Sequence, residues 1–382
     1  MSRTPRSLRR GRPELYSDYA SDQAIWNTPA KRWSTLLILI AAASLPWFLN
    51  RDLMGLATLV VVYAISGIGL NLISGYAGQI SLGHALFMGI GAYTAALLGG
   101  TETNLVRGFE LDVLIWLPMA GLVPALVGWL VAPIAARVRG LYLAILTLGL
   151  LFVGEHILKE MKWLTGGSGV GRRPAGTDLL GFEIYARRTV FGTELPSIAS
   201  FYLFSLLILI VLAVLARNVA RTRQGRAFSA VRDRDIAAEV MGVPLLRTKR
   251  LAFTLSSFYA GIGGALLTIV FGFTTPERWN LLLSIDFLAV VLIGGAATIT
   301  GPIIGAAFVV LMPRFIETFA GSLPFISTTV GGSGRLNILN VFQLQRLLFG
   351  AMIVLFLVLE PRGLFGVWIR VRNYFKAWPF SY

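Results

Sequence analysis

Ser74-Gly75-Tyr76-Ala77-Gly78-Gln79-Ile80-Ser81-Leu82-Gly83-His84 breaks an apolar run that continues on both sides of it. Three glycines among polar side chains interrupt a helix. The flanks, from Leu53 to Leu72 and from Ala85 to Leu98, are nonetheless as apolar as a bilayer interior. A hydrocarbon core about 30 Å thick takes roughly 20 apolar helical residues, so the stretch reads as a break within a membrane-spanning region. A second break is Gly294-Gly295-Ala296-Ala297-Thr298-Ile299-Thr300-Gly301-Pro302, followed by Gly305-Ala306-Ala307. Paired interruptions of this kind point to an inverted repeat with a pathway at its interface. At any single glycine, close contact between helices explains the residue equally well.

Outward from these breaks, apolar blocks recur near 34–49, 53–74, 76–99, 111–135, 140–158, 198–216, 251–272, 282–297, 300–320 and 345–360. Of all residues 55% are hydrophobic and only 14% charged, against roughly a quarter charged in a soluble domain. Open strands cannot satisfy their backbone in lipid, and the alternating pattern of barrel strands is missing. The fold class expected is therefore all-α: a polytopic integral membrane helical bundle of about ten transmembrane helices with Gly-interrupted segments.

Lys and Arg set the orientation. Most of the 34 lie in the N-terminal tail, at Arg137 and Arg139, in 217–250 and in the C-terminal tail. An even number of crossings puts all four stretches on one side, the cytoplasmic one. The division expected is a cytoplasmic tail over 1–33, a transmembrane domain over 34–360, and a cytoplasmic tail over 361–382. Loop 217–250 faces the cytoplasm and loop 159–197 the exterior. The latter is basic too, but it is long and also carries Glu160, Asp178, Glu183 and Glu194; long loops obey the charge rule less strictly. No signal peptide is read, because the first apolar run starts only near Ser34.

The net charge of +15 would suit nucleic acid only on a soluble basic face, which the chain does not show. With no cysteine and only His84 and His156, neither a disulfide nor a metal site is expected. There is no G-x-x-x-x-G-K-[ST] loop, H-E-x-x-H or G-x-S-x-G. The chain reads as no enzyme and as binding no cofactor itself; ATP, if used, is bound by another subunit.

Gly225 to Gly242 reads as one short amphipathic helix, ended by Gly242-Val243-Pro244. Ala227, Ala230, Val231, Ala237, Ala238 and Met241 form its apolar face, with Arg232, Asp233 and Glu239 opposite. Such a helix suits docking into a partner's groove or lying on anionic lipid; periodicity alone does not choose.

The region from Gly225 to Leu267, centred on Ala237-Ala238 and Gly242, resembles the cytoplasmic coupling region of ABC importer permeases, and more narrowly the branched-chain amino-acid (LIV-type) permease family. The same family is matched by Asn71 to Ala85, Gly91-Ala92-Tyr93-Thr94, Leu146-Thr147-Leu148, Thr165-Gly166-Gly167, Ile293 to Ala306 and Glu360-Pro361-Arg362-Gly363-Leu364. The long N-terminal tail and the Gly321–Leu344 loop depart from it, and Asp235-Ile236 stands where many ABC importers place glutamate. The resemblance implies a bacterial inner-membrane permease working with a second homologous permease subunit, two cytoplasmic ATP-binding subunits and an external solute-binding protein. It makes Gly225, Arg232, Asp233, Asp235, Ala237, Ala238 and Gly242 the ATPase-coupling set.

For the substrate pathway the candidates are Gly75, Gly78, Gln79, Ser81, Gly83, His84, Thr147, Glu155, Gly294 and Gly295. Unwound backbone beside Gln79, Ser81 and His84 is positioned to meet a zwitterionic or amide solute; a histidine packed between helices is the alternative. Glu155, about 22 Å up its helix, is read as lining or supporting the external mouth of the pathway, since a carboxylate at depth needs a wet cavity or a partner; an interfacial side chain reaching for water is the alternative. Arg314 and Glu317 are spaced to pair on one helix face. Gly166-Gly167-Ser168-Gly169 and Gly331-Gly332-Ser333-Gly334 read as mobile external segments.

The function expected is a permease subunit of an ATP-driven importer for branched-chain or other hydrophobic amino acids. A urea or short-chain amide importer is the alternative within the class. An ion-coupled carrier is the alternative outside it, with Glu155 and Asp286 as the few carboxylates available to one.

Overall fold

The computed structural model describes residues 29–138, 140–186, 188–190, 193–320, 326–327, 339–340, scattered positions between 347 and 360, and 363–377. Its long helices are α1 (Pro29–Phe48), α2 (Arg51–Leu70), α3 (His84–Gly99), α4 (Val113–Arg137) and α5 (Leu141–Glu160). A single turn, α6 (Lys162–Thr165), precedes α7 (Ser197–Arg221). After these come α8 (Arg223–Asp233), α9 (Asp235–Val240), α10 (Leu245–Phe271), α11 (Leu281–Gly294), α12 (Thr300–Ala320) and α13 (Gly363–Ala377). The expected helical bundle is what forms. Five of these helices, α2 with its extension to Tyr76, α4, α5, α7 and α10, are long and apolar enough to cross a membrane.

Strand content among the described residues is confined to short pairs. Two antiparallel hairpins, β1 (Asp178–Leu179) with β2 (Phe182–Glu183) and β3 (Arg188–Val190) with β4 (Thr193–Leu195), fold the loop expected outside. A parallel pair joins β5 (Ile326–Ser327) to β6 (Leu339–Asn340). The block at 345–360 lies largely outside the described residues, as do the 1–28 tail, Gly331-Gly332-Ser333-Gly334 and the side chain of Glu317.

Two expected segments are corrected. The block placed at 76–99 does not start at 76: α2 tightens into a π-helical turn over Asn71–Tyr76, the chain runs without helix to Gly83, and α3 begins at His84. The block placed at 282–297 is a helix only to Gly294. At ~1.5 Å per residue, α3 and α11 are only about 24 and 21 Å long, short of a crossing. Irregular backbone adjoins each: 77–83 before α3, and before α11 the stretch 272–280, which includes a 3-10 turn over Pro276–Arg278 and buries Trp279 against Gly89 in the middle of α3. At membrane depth such backbone survives only where protein or water satisfies it, and of these stretches Ala77, Gln79, Ser81, Gly83, Thr274, Pro276 and Trp279 are buried in the bundle while Gly78, Ile80, Gly272 and Phe273 are exposed.

Small residues allow the crowding. Helix α10 is the bundle's central element, its face buried from Thr248 to Ile269. A Cβ on Gly91 of α3 would overlap the Gly261 backbone of α10, and one on Gly264 the Met88 carbonyl. Without a hydrophobic drive between helices in lipid, this backbone-to-backbone approach supplies the dispersion contact that holds them.

The connections gather at two opposite ends. At one, Arg172 pairs with Thr274, the Gly176 N–H donates to the Gly99 carbonyl at 2.6 Å, and the Arg107 N–H donates to that of Trp163 at 3.2 Å. The other holds 77–80, Val138 and Gly140, α8, α9, the 295–299 break and the start of α13. Arg137 and the basic 217–250 stretch thus share one end, as the charge pattern requires. The residues read as a C-terminal tail carry a further helix, α13, whose first residue, Gly363, packs on the Gly295 backbone.

Candidate functional site: two broken helices and the surface helix that touches them

Each break leaves backbone groups that a continuous helix would have satisfied. Side chains from neighbouring helices take them up. The Leu82 N–H donates to Thr147 Oγ1 at 3.0 Å, and the Ala85 N–H to Ser284 Oγ at 3.0 Å. The Ala297 N–H donates to Asn71 Oδ1 at 2.9 Å, while Asn71 Nδ2 donates to the Thr298 carbonyl at 2.6 Å. Asn71 is fully buried, so one amide satisfies the donor and the acceptor of the opposite break. Ala297 holds φ +59°, a left-handed conformation costly without glycine, and this amide helps to fix it.

The structure therefore brings together the pathway candidates Gly75, Gly78, Gln79, Ser81, Gly83, His84, Thr147, Gly294 and Gly295. A Cβ on Gly75 would meet the Asn71 side chain and the Ala297 backbone. One on Gly83 would lie 2.9 Å from the Thr147 carbonyl. Gln79 and His84 are buried, and neither the Gln79 amide atoms nor His84 Nε2 meets a hydrogen-bonding partner among the described residues. The His84 ring packs 5.4 Å from that of Phe287. Glu155 stands apart from this group. It is no lone carboxylate: Lys159, one turn on, donates to it at 2.7 Å.

The coupling stretch also differs from expectation. Gly225–Gly242 is not one helix but two, α8 and α9, separated at Arg234 with φ −156° and ψ 102°. The single apolar face is divided accordingly. Phe228, Val231 and Ala238 are buried against the bundle, whereas Ile236, Val240 and Met241 are 62%, 83% and 83% exposed. Arg232, expected on the outward polar side, turns to the bundle. Its Nη1 donates to the Gly75 carbonyl at 3.3 Å and its Nε to Asp233 Oδ1 at 3.0 Å. Gly78, at φ +68°, lies so close to the Arg232 backbone that its Cβ would sit 3.0 Å from the Arg232 Cα. Between these elements is a cavity of about 300 Å³ lined by Gly78, Gln79, Ile80, Arg232, Arg234 and Lys249.

Three residues were not singled out from sequence. Asn71 and Ser284 looked like ordinary polar residues in apolar helices, and only the opposing break gives them a task. Arg172, in the loop at the other end, is 3% exposed and donates to the carbonyls of Leu164, Ala96 and Arg107. Burial pushes its guanidinium down to about 10, which leaves it charged at neutral pH. The turn at Gly166-Gly167, read as a mobile connector, is pinned: Thr165 Oγ1 donates to the Leu158 carbonyl at 3.0 Å and accepts from the Gly167 N–H at 3.1 Å.

Half-helices meeting at glycine breaks inside an apolar bundle are an architecture found in membrane transporters. The chain belongs to the family of permease components of branched-chain amino acid transport systems, whose model matches residues 52–357. It is 30% identical over 352 residues to the high-affinity branched-chain amino acid transport system permease protein LivM of Salmonella typhimurium, covering 88% of this chain and 76% of the relative. The LivM protein of Escherichia coli is likewise 30% identical, over 351 residues, with the same coverage. The autoinducer 2 import system permease protein LsrC of an Enterobacter species is more distant, at 26% over 294 residues, covering 75% of this chain and 79% of that relative. No solved structure matches the chain.

Proposed function

We propose that the chain is the permease subunit of an ATP-driven importer for branched-chain or other hydrophobic amino acids. It pairs with a second, homologous permease, and two ATP-binding subunits act on it from the cytoplasm. An external solute-binding protein delivers the substrate. Both chain ends and the α8–α9 pair face the cytoplasm of a bacterial inner membrane, and ATP is held by the partner subunits alone.

The observation that carries this reading is the bond from Arg232 to the Gly75 carbonyl. It links a solvent-facing helix to the backbone of a broken transmembrane helix. A partner that grips the exposed Ile236, Val240 and Met241 would move α9, then α8 and Arg232, and so the 75–83 backbone. Asn71 would carry that displacement to the second break. A groove-and-helix contact of this sort needs apolar anchors on one face, which α9 presents.

The test is reconstitution of the full chain with its candidate permease, ATPase and binding-protein partners in vesicles. Leucine uptake should require ATP and both ATPase subunits. Uptake driven by a proton gradient with no ATPase present would replace this reading with ion-coupled transport, and uptake of urea in place of leucine would move the substrate class.

A further inference from the structure

Between α2, α11 and α12, and bounded also by Gly350 and Ile353, lies a second cavity of about 650 Å³. Its wall is apolar, with Leu56, Leu59, Leu282, Ile285 and Val309 among its lining, and it contains one carboxylate, Asp286, and one phenol, Tyr63. Asp286 lies roughly eight residues before Gly294, and Tyr63 roughly eight before Asn71, so both sit about 12 Å from the junction of the two breaks. The Tyr63 ring stacks on Phe287 at 4.7 Å, which fixes α2 against α11 at that depth.

Asp286 is only partly buried, and among the described residues no hydrogen bond or ion pair reaches it. A carboxylate at membrane depth is costly, and such residues face a cavity and find a counter-charge. The chemistry of the cavity narrows what that counter-charge is. Hard metal ions need several oxygen ligands, and a single carboxylate with a phenol does not provide them. An anion is repelled. A primary ammonium on an apolar body satisfies both the carboxylate and the wall, and the volume falls in the ordinary range for small-ligand sites, roughly 300–1,000 Å³.

We propose that the α2–α11–α12 cavity is a binding site for a primary ammonium group carried on an apolar body, with Asp286 as its counter-charge. Two sources share that chemistry: a free amine or amino acid, and the ethanolamine headgroup of a lipid. The site does not depend on the import reading, because binding alone tests it.

The experiment uses the full chain in phosphatidylcholine nanodiscs, which carry no primary amine, with 3-methylbutylamine as probe and 3-methylbutanol as its uncharged analogue. Calorimetric titration should give saturable binding of the amine and none of the alcohol. Asp286→Asn should weaken amine binding by about tenfold or more, the scale of a lost charge-assisted bond. Should Asp286→Asn fail to insert, Leu282→Trp, which fills the cavity and leaves the charge in place, should abolish binding. Equal binding of amine and alcohol, or amine binding unchanged in either variant, overturns the proposal. Displacement of the amine by leucine identifies a free amino acid as the source, whereas loss of amine binding only in phosphatidylethanolamine discs identifies the lipid.

Discussion

Asn71 donates its side-chain amide to the carbonyl of Thr298 at 2.6 Å, across 227 positions of sequence. Its other amide atom accepts from the Ala297 N–H, so a single side chain takes up a donor and an acceptor of two adjacent residues in the middle of the second break. The two glycine interruptions are therefore joined directly through one buried amide. A buried amide bonded at both ends holds its neighbours to one geometry, because every alternative leaves a polar group unpaired in a low dielectric.

Asn71→Ala should uncover the Ala297 donor and the Thr298 acceptor together. Each unpaired buried group costs about 1–3 kcal/mol, and the left-handed backbone at Ala297 loses its clamp. The variant should unfold at lower temperature in detergent and lose transport in vesicles. Asn71→Asp, which keeps the acceptor and loses the donor, should lie between it and the wild type in both assays. Wild-type stability in Asn71→Ala would mean that the two breaks are held by packing alone.

The close approach of α3 to α10 makes a second prediction. Gly91→Leu forces a side chain into the Gly261 backbone, and backbone cannot give way as a flexible side chain does. Overpacking of this kind costs typically ~1–3 kcal/mol, and more where the neighbour is main chain, so yield of folded protein should fall sharply. Gly149→Leu on α5 is the control, since nothing lies within 4 Å of its Cβ position; its yield and melting temperature should match the wild type.

Arg172 gives a third. It ties three carbonyls at the end opposite the coupling helices, and its buried guanidinium has no carboxylate partner in those contacts. Arg172→Met should destabilise by about 1–3 kcal/mol through the unpaired acceptors. Arg172→Lys should recover only part, because a single ammonium cannot reproduce the planar fork. The pH sign follows from burial, which lowers the folded guanidinium from 12.5 to about 10. The unfolded chain then binds more protons between those values, so this residue's contribution to stability rises with pH there and is flat below it. Thermal scans of the wild type and Arg172→Met between pH 6 and 9 should therefore differ by a constant offset.

Much of this was legible in the sequence, and the residues show why the rest was not. Blocks of apolar residues define α4 and α5 to within two positions and α7 and α10 to within six, since a bilayer demands length and little else. Gly75–Gly83 and Gly294–Gly301 announced breaks, because glycine and proline act locally. Where α3 begins and where α11 ends was not legible: it depends on Thr147, Ser284 and Asn71 arriving from other helices to take up the freed backbone. The kink at Arg234 was hidden for a related reason. Val231, Ala238 and Met241 keep a helical spacing, but tertiary packing buries the first two and exposes the third.

The last prediction concerns Arg232. Its bond to the Gly75 carbonyl, 157 positions away, is the described hydrogen bond that runs from α8 to the first break. If it transmits motion, Arg232→Ala should leave insertion, assembly and basal ATP hydrolysis intact while leucine imported per ATP falls. Couplings of this type are worth typically 1–3 kcal/mol, or about 5–150-fold, so a loss near tenfold is expected. Arg232→Lys should retain part of the coupling, since an ammonium can still reach the carbonyl but cannot also hold Asp233 in the same fork. Gly78→Ala should give the same uncoupling by a different route. Its φ of +68° strains any side chain, and the added Cβ pushes Arg232 away from the break. Agreement between the two variants would place the transmission at this contact, and wild-type stoichiometry in both would assign it to another part of α8 or α9.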